Sequence, residues 1–263
     1  VGRAAAGAFA TGERWGLVAG AVLLQASFAL DCVDGQLARY AGTGSARGAW
    51  LDATGDRLKE YLVYGGLALG SAEPVWALAG IALTVQTFSH LMGLALPPNP
   101  QPTLTKGSDP FRLARRVAYF PIGERLFAIS VAAALFDAEA VFWAVIAGAG
   151  FGTLYGFAGR LRRTRRLDWL VPALMAAGLF AALIALDAGG AFAVLLPLAF
   201  HAYDRFHRPR YLGRRVPAWP GLLGIVAVVV AALQPEWLAP LGAILAVLLA
   251  AECAADLRKG AAE

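Results

Sequence analysis

Apolar residues in this chain come in long blocks separated by short charged, glycine- or proline-bearing breaks. The blocks cover residues 15–34, 49–70, 75–96, 124–136, 139–160, 169–187, 190–206, 219–234 and 237–257. Most approach the ~20 residues that an α-helix needs to cross a hydrocarbon core of ~30 Å. The pattern therefore predicts an all-α, polytopic transmembrane bundle of about nine membrane helices. A polar, proline-rich stretch at 97–121 divides the third block from the fourth, with an interfacial helix expected near 111–119. The turns Asp137-Ala138-Glu139, Asp187-Ala188-Gly189-Gly190 and Gln234-Pro235-Glu236 join neighbours, so the last four blocks read as two helical hairpins.

Composition sharpens this picture. Of 263 residues, 59% are apolar and 16% charged, where a soluble domain carries roughly 25% charged residues; a soluble globular protein is excluded. The net charge of +5 would suit nucleic acid if it were spread over a surface. Instead, all basic residues except Arg3 and Arg14 fall in 35–59, 106–125, 160–166, 205–215 and 258–259. Clusters in loops on one side are an orientation signal that places those segments in the cytoplasm, and no nucleic-acid partner is expected. Nine crossings ending inside put residue 1 outside, so a further helix upstream of it is expected. Cys32 and Cys253 are too few and too far apart for a disulfide framework or a thiolate metal site.

The chemistry concentrates between residues 31 and 56. Asp31 and Asp34 are three apart, and Asp52 and Asp56 four apart, so on helices each pair shares one face. A short link lets both pairs address one point at the cytoplasmic boundary. Carboxylates near a membrane are costly unless compensated, and an all-oxygen ligand set suits Mg²⁺ or Mn²⁺, which keep positions for substrate phosphates. Gly35 and Gly48 leave room for a bulky ligand beside the backbone, and Arg39 supplies a cation for phosphate. The parts describe a diphosphate site.

The full pattern, Asp31, Asp34, Gly35, Ala38, Arg39, Gly48, Asp52 and Asp56, reads D-x2-D-G-x2-A-R-x8-G-x3-D-x3-D and resembles the signature of the CDP-alcohol phosphotransferase family at every fixed position. The resemblance covers about 15–160, five of that family's six helices, with its first helix lacking a counterpart. It implies a binuclear site with Asp31, Asp34, Asp52 and Asp56 as metal ligands, Asp56 also acting as general base. It further implies that Gly35, Ala38, Arg39 and Gly48 line the pocket for the CDP moiety. The implied reaction moves a substituted phosphate from a CDP-linked donor, CDP-diacylglycerol by family frequency, to a polar alcohol or polyol phosphate, releasing CMP in phospholipid biosynthesis. A homodimer in a bacterial cytoplasmic membrane, in contact with membrane lipids and with its site facing the cytoplasm, goes with the resemblance.

Two domains are expected: a catalytic membrane domain at 1–166 and a four-helix extension at 167–263 that contributes no metal ligand. Lys106, Arg116, Arg125 and Arg160 are candidates for an acceptor phosphate; lipid headgroups and topology are the competing explanation for Lys106, Arg116 and Arg160, while Arg125, at the start of a helix, either faces the cavity or pairs with the neighbours of Glu124 or with lipid. His201, Asp204 and His207 lack a further ligand at useful spacing. Alternatives are a CDP-polyol to polyol-phosphate transferase and, from another class, a cation transporter; the acids gather at one membrane face instead of crossing it.

Overall fold

The computed structural model describes residues 1–72, 75–95, 119–161, 170–216 and 219–259, and among them every regular element is helical. In chain order these are α1 (Gly2–Phe9), α2 (Arg14–Ala41), α3 (Ala46–Leu69), α4 (Trp76–Ala95), α5 (Ile122–Leu135), α6 (Ala138–Leu161), α7 (Leu170–Leu186), α8 (Ala188–Leu212), α9 (Trp219–Leu233), a 3-10 turn (Pro235–Trp237) and α10 (Leu238–Lys259). The expected interfacial helix near 111–119 falls almost wholly outside the described residues.

Local chemistry explains the boundaries that matter for the site. α2 does not stop at residue 34 but continues to Ala41, where Gly42 adopts φ 64° and donates its N–H to the Ala38 carbonyl, a left-handed cap that suits a residue without Cβ. Ser45 then caps α3 by accepting from the Gly48 N–H at 3.0 Å. The link between the carboxylate helices is thus only the turn between Ala41 and Ala46. Asp187 caps α8 in the same manner, accepting from the Gly189 and Gly190 N–H groups at 3.1 Å each.

The sequence pattern did not indicate α1, which is too short to register as an apolar block. It packs on α2 and α3 through small residues. A Cβ on Gly66 would lie 2.2 Å from the Ala6 carbonyl oxygen, and one on Gly20 2.5 Å from the Phe9 ring; these two positions admit α1 only because they are glycine. Phe9, Leu24, Tyr64 and Leu67 are fully or almost fully buried along this contact.

α8 is the central strut. It packs against α3, α4, α7 and α10, burying Ala191, Phe192, Val194, Leu195 and Ala199. The C-terminal helices therefore lean directly on the helix that carries Asp52 and Asp56. Among the described residues, three helical stretches are long and apolar enough to cross a membrane: Arg14–Ala41, Ala138–Ala158 and Pro235–Arg258. Leu174–Leu186 and Leu223–Leu233 are shorter apolar helices. Their outward faces expose large apolar side chains such as Val22, Leu154, Met175, Leu233 and Val247, the arrangement of a protein associated with lipid.

Candidate functional site

Asp31 and Asp34 project from α2, Asp52 and Asp56 from α3. Oxygens of Asp31, Asp34 and Asp52 all lie within 4.8 Å of one another. Oxygen ligands sit about 2.0–2.6 Å from Mg²⁺ or Ca²⁺, so two oxygens sharing an ion are separated by roughly twice that or less. The three carboxylates fit a hard divalent cation by spacing and by donor type. Asp34 and Asp52 are exposed and Asp31 half-buried, which leaves the cluster open on one side.

Asp56 joins through an amine. Lys59 Nζ lies 2.9 Å from Asp56 Oδ1 and 3.3 Å from Asp31 Oδ1, bridging the two helices. Lys59 sits one turn beyond Asp56 on the same helix, and its stem passes so close to α1 that a Cβ on Gly2 would lie 2.5 Å from Lys59 Cγ. The short N-terminal helix thereby braces a side chain that links Asp31 to Asp56.

The residues expected around the donor lie at the same mouth. A Cβ on Gly35 would meet only the Arg39 guanidinium, 3.5 Å from Nη1, and one on Gly48 only its capping Ser45 Oγ at 3.2 Å. Arg39 and Gly48 are exposed, Gly35 and Ala38 partly so. The face between them is therefore open to a bulky group.

Of the acceptor candidates, Lys106 and Arg116 lie outside the described residues, as does the Arg160 side chain. Arg125 is 3% exposed and turns inward. Its Nε and Nη2 donate to the Glu60 carboxylate, Nη2 at 3.0 Å, and Nη1 donates to the Phe120 carbonyl at 3.0 Å. Glu60, 1% exposed, also accepts from Arg57 Nη1 at 2.8 Å and the Tyr64 hydroxyl at 2.7 Å. A buried carboxylate thus holds two guanidiniums from α3 and α5, which keeps any one of these charges from standing unpaired.

The C-terminal helices send no ligand to the acidic cluster among the described residues. Asp204 is fully buried; Trp50 Nε1 donates to its Oδ1 at 2.7 Å, and Arg208 holds its Oδ2. Arg208 further pairs with Glu252 and, at 3.0 Å, with Asp256, and reaches Cys253 Sγ at 3.3 Å. His207 Nδ1 lies 3.1 Å from the Tyr203 carbonyl.

Reading of the sequence singled out the four aspartates and missed Arg57, Lys59 and Glu60. The signal was there. Three charged residues inside the apolar block 49–70 are as anomalous as the aspartates and, in a membrane helix, need partners of opposite charge.

A family model described as CDP-alcohol phosphatidyltransferase matches residues 4–154, more than half of the chain, and the chain belongs to that family. The match begins upstream of the span inferred from the motif and takes in most of α1 with α2 to α6. Membership makes the protein a transferase-class enzyme of phosphatidyl transfer from a CDP-alcohol to an alcohol. Neither the comparison with curated proteins nor that with solved structures gives a match.

Proposed function

We propose that this member of the CDP-alcohol phosphatidyltransferase family is an integral membrane enzyme of about nine crossings. It transfers the substituted phosphate of a CDP-linked donor, CDP-diacylglycerol, to a hydroxyl of a polar alcohol or polyol phosphate, and CMP leaves. The observation that carries the reading is the convergence of Asp31, Asp34 and Asp52 oxygens within 4.8 Å on two linked helices, inside the stretch that matches the family model.

In this reading Asp31, Asp34, Asp52 and Asp56 hold two Mg²⁺ or Mn²⁺ ions, and Gly35, Ala38, Arg39 and Gly48 receive the CDP moiety. When bound, the ions offset negative charge on the donor diphosphate and the departing CMP. The protein's own groups do the rest. Asp56, held through Oδ1 by Lys59, takes the proton of the acceptor hydroxyl as its oxygen attacks the donor phosphorus. The new P–O bond forms, the bond to the CMP phosphate oxygen breaks, and Asp56 returns the proton to solvent. No covalent enzyme intermediate is needed. Arg39 lies at the open mouth, where its guanidinium can meet a phosphate oxygen. Lys106, Arg116 and Arg160 supply the charge for a phosphorylated acceptor, while Arg125 is committed to Glu60 in the arrangement described above.

The division into a catalytic unit at 1–166 and an extension at 167–263, the cytoplasmic orientation, the bacterial cytoplasmic membrane and a homodimeric assembly belong to the same proposal. What supports the orientation is the clustering of basic residues on one side of the apolar blocks.

The test uses the full chain in membranes with Mg²⁺. CDP-diacylglycerol and CDP-glycerol are each offered with glycerol, myo-inositol, glycerol 3-phosphate and inositol 1-phosphate, and CMP is followed. Release of CMP with CDP-diacylglycerol supports the reading; release with CDP-glycerol alone replaces the donor; ion flux in proteoliposomes with no CMP from any pair overturns it.

A further inference from the structure

α3 carries two opposed stripes. Trp50, Thr54, Arg57 and Tyr61, at steps of four, three and four, are all buried. Asp52, Asp56 and Lys59, at steps of four and three, supply the α3 side of the acidic site. With 3.6 residues to a turn, Asp52 lies roughly 200° round the helix from Trp50. Whatever holds the buried stripe therefore sets the direction of the carboxylates.

Part of that hold comes from α8, which lies beyond the residues that match the family model. Trp50 Nε1 donates to Asp204 Oδ1 at 2.7 Å, and Arg57 Cζ stands 5.6 Å over the ring of the neighbouring Tyr203. Asp204 is fixed in its turn. Arg208 holds its Oδ2, and Glu252 and Asp256 of α10 hold Arg208, with Arg214 Nη1 3.2 Å from Asp256 Oδ1. Trp50, Asp204 and Arg208 are fully or almost fully buried. A directional bond inside a buried network specifies one rotation of α3, where apolar contact alone would let the helix turn.

Asp52 is exposed, so packing around its own side chain does not aim it; the rotation of α3 does. Turning a helix of ~5–6 Å outer radius by about 20° carries a carboxylate through about 2 Å. That displacement is large beside the 4.8 Å within which the three carboxylates gather, and beside the roughly 0.5 Å to which a working site is held.

We propose that Trp50 and Asp204 are positioning residues: through their hydrogen bond the C-terminal extension sets the rotation of α3 that brings Asp52 to Asp31 and Asp34. The extension touches no ligand oxygen and acts through the helix it grips. The proposal rests on the reading of these carboxylates as metal ligands, and its consequence for turnover rests on the transferase reading.

The test is Mn²⁺ titration of the full chain in detergent, followed by the paramagnetic signal well below the unfolding midpoint of each variant, with CMP release measured in parallel. Trp50→Phe, still folded, is expected to bind Mn²⁺ about tenfold more weakly, the low end for residues that orient metal ligands. Asp187→Ala removes the cap at the opposite end of α8 and should lower the midpoint with Mn²⁺ affinity unchanged. If Trp50→Phe does not fold, Asp204→Leu takes its place, since Arg208 keeps its pairs with Glu252 and Asp256, and the same weakening is expected. Wild-type affinity in the folded variant, an equal weakening in Asp187→Ala, or no Mn²⁺ binding by wild type overturns the proposal. Should wild type release CMP while the variants keep their Mn²⁺ affinity, the positioning alone is rejected. Weakening confined to the Trp50 or Asp204 variant, in a protein that releases no CMP from any donor, upholds the positioning and rejects the transferase reading instead.

Discussion

Trp50 Nε1 donates a 2.7 Å hydrogen bond to the fully buried Asp204, tying the helix that carries Asp52 and Asp56 to a helix beyond the family-matched stretch. Trp50 is itself 1% exposed and lies two positions before Asp52, with the Arg208 guanidinium 5.8 Å over its ring. The C-terminal helices thus grip the first turns of α3 from the side away from solvent.

This grip should be measurable as coupling. Trp50→Phe leaves an acceptor of Asp204 without its donor and is expected to cost about 1–3 kcal/mol. Asp204→Asn weakens the pairing with Arg208. A double-mutant cycle read by denaturant unfolding in detergent should give an interaction of about 0.5–3 kcal/mol; additive losses would mean that the contact holds nothing.

Removing metal should abolish turnover, and adding back Mg²⁺ or Mn²⁺ should restore it. Mn²⁺ binding, followed by its paramagnetic signal, should weaken in Asp52→Asn because the variant replaces an anionic oxygen of the 4.8 Å cluster by a neutral amide. Wild-type Mn²⁺ affinity in that variant would remove Asp52 from the ligand set.

Asp56→Asn is expected to keep the fold and much of the donor affinity while lowering turnover by about 10²- to 10⁴-fold, the range for losing a general base. Donor binding is checked separately by equilibrium dialysis with labelled CDP-diacylglycerol in detergent. Turnover near wild type would withdraw the base assignment.

Glu60→Gln leaves Arg57 and Arg125 buried without their shared carboxylate, and breaking such a pair from one side typically costs about 3–5 kcal/mol. The loss should appear as a lower unfolding midpoint with or without substrates. An unchanged midpoint would show that the two guanidiniums are satisfied by other groups.

Gly66→Val drives side-chain atoms into the Ala6 carbonyl, where even a Cβ would lie at 2.2 Å. Overpacking of this kind costs about 1–3 kcal/mol, and α1 is the element that must shift. Because α1 braces Lys59 through Gly2, the variant is also expected to lose activity beyond its loss of stability, read as turnover per folded molecule.

The sequence by itself determined what is local. Block length and composition specified helices and a membrane setting, and the steps of three and four between aspartates placed each pair on one helical face, because α-helical periodicity is a property of neighbouring residues. Tertiary structure decided what meets across helices. That Glu60 faces Arg125, that Asp204 faces Trp50, and that Lys59 reaches from α3 to Asp31 on α2 depends on how the helices cross and rotate. Those angles are set by the fit of side chains over many residues, such as the glycines under α1, and no spacing within one helix encodes them.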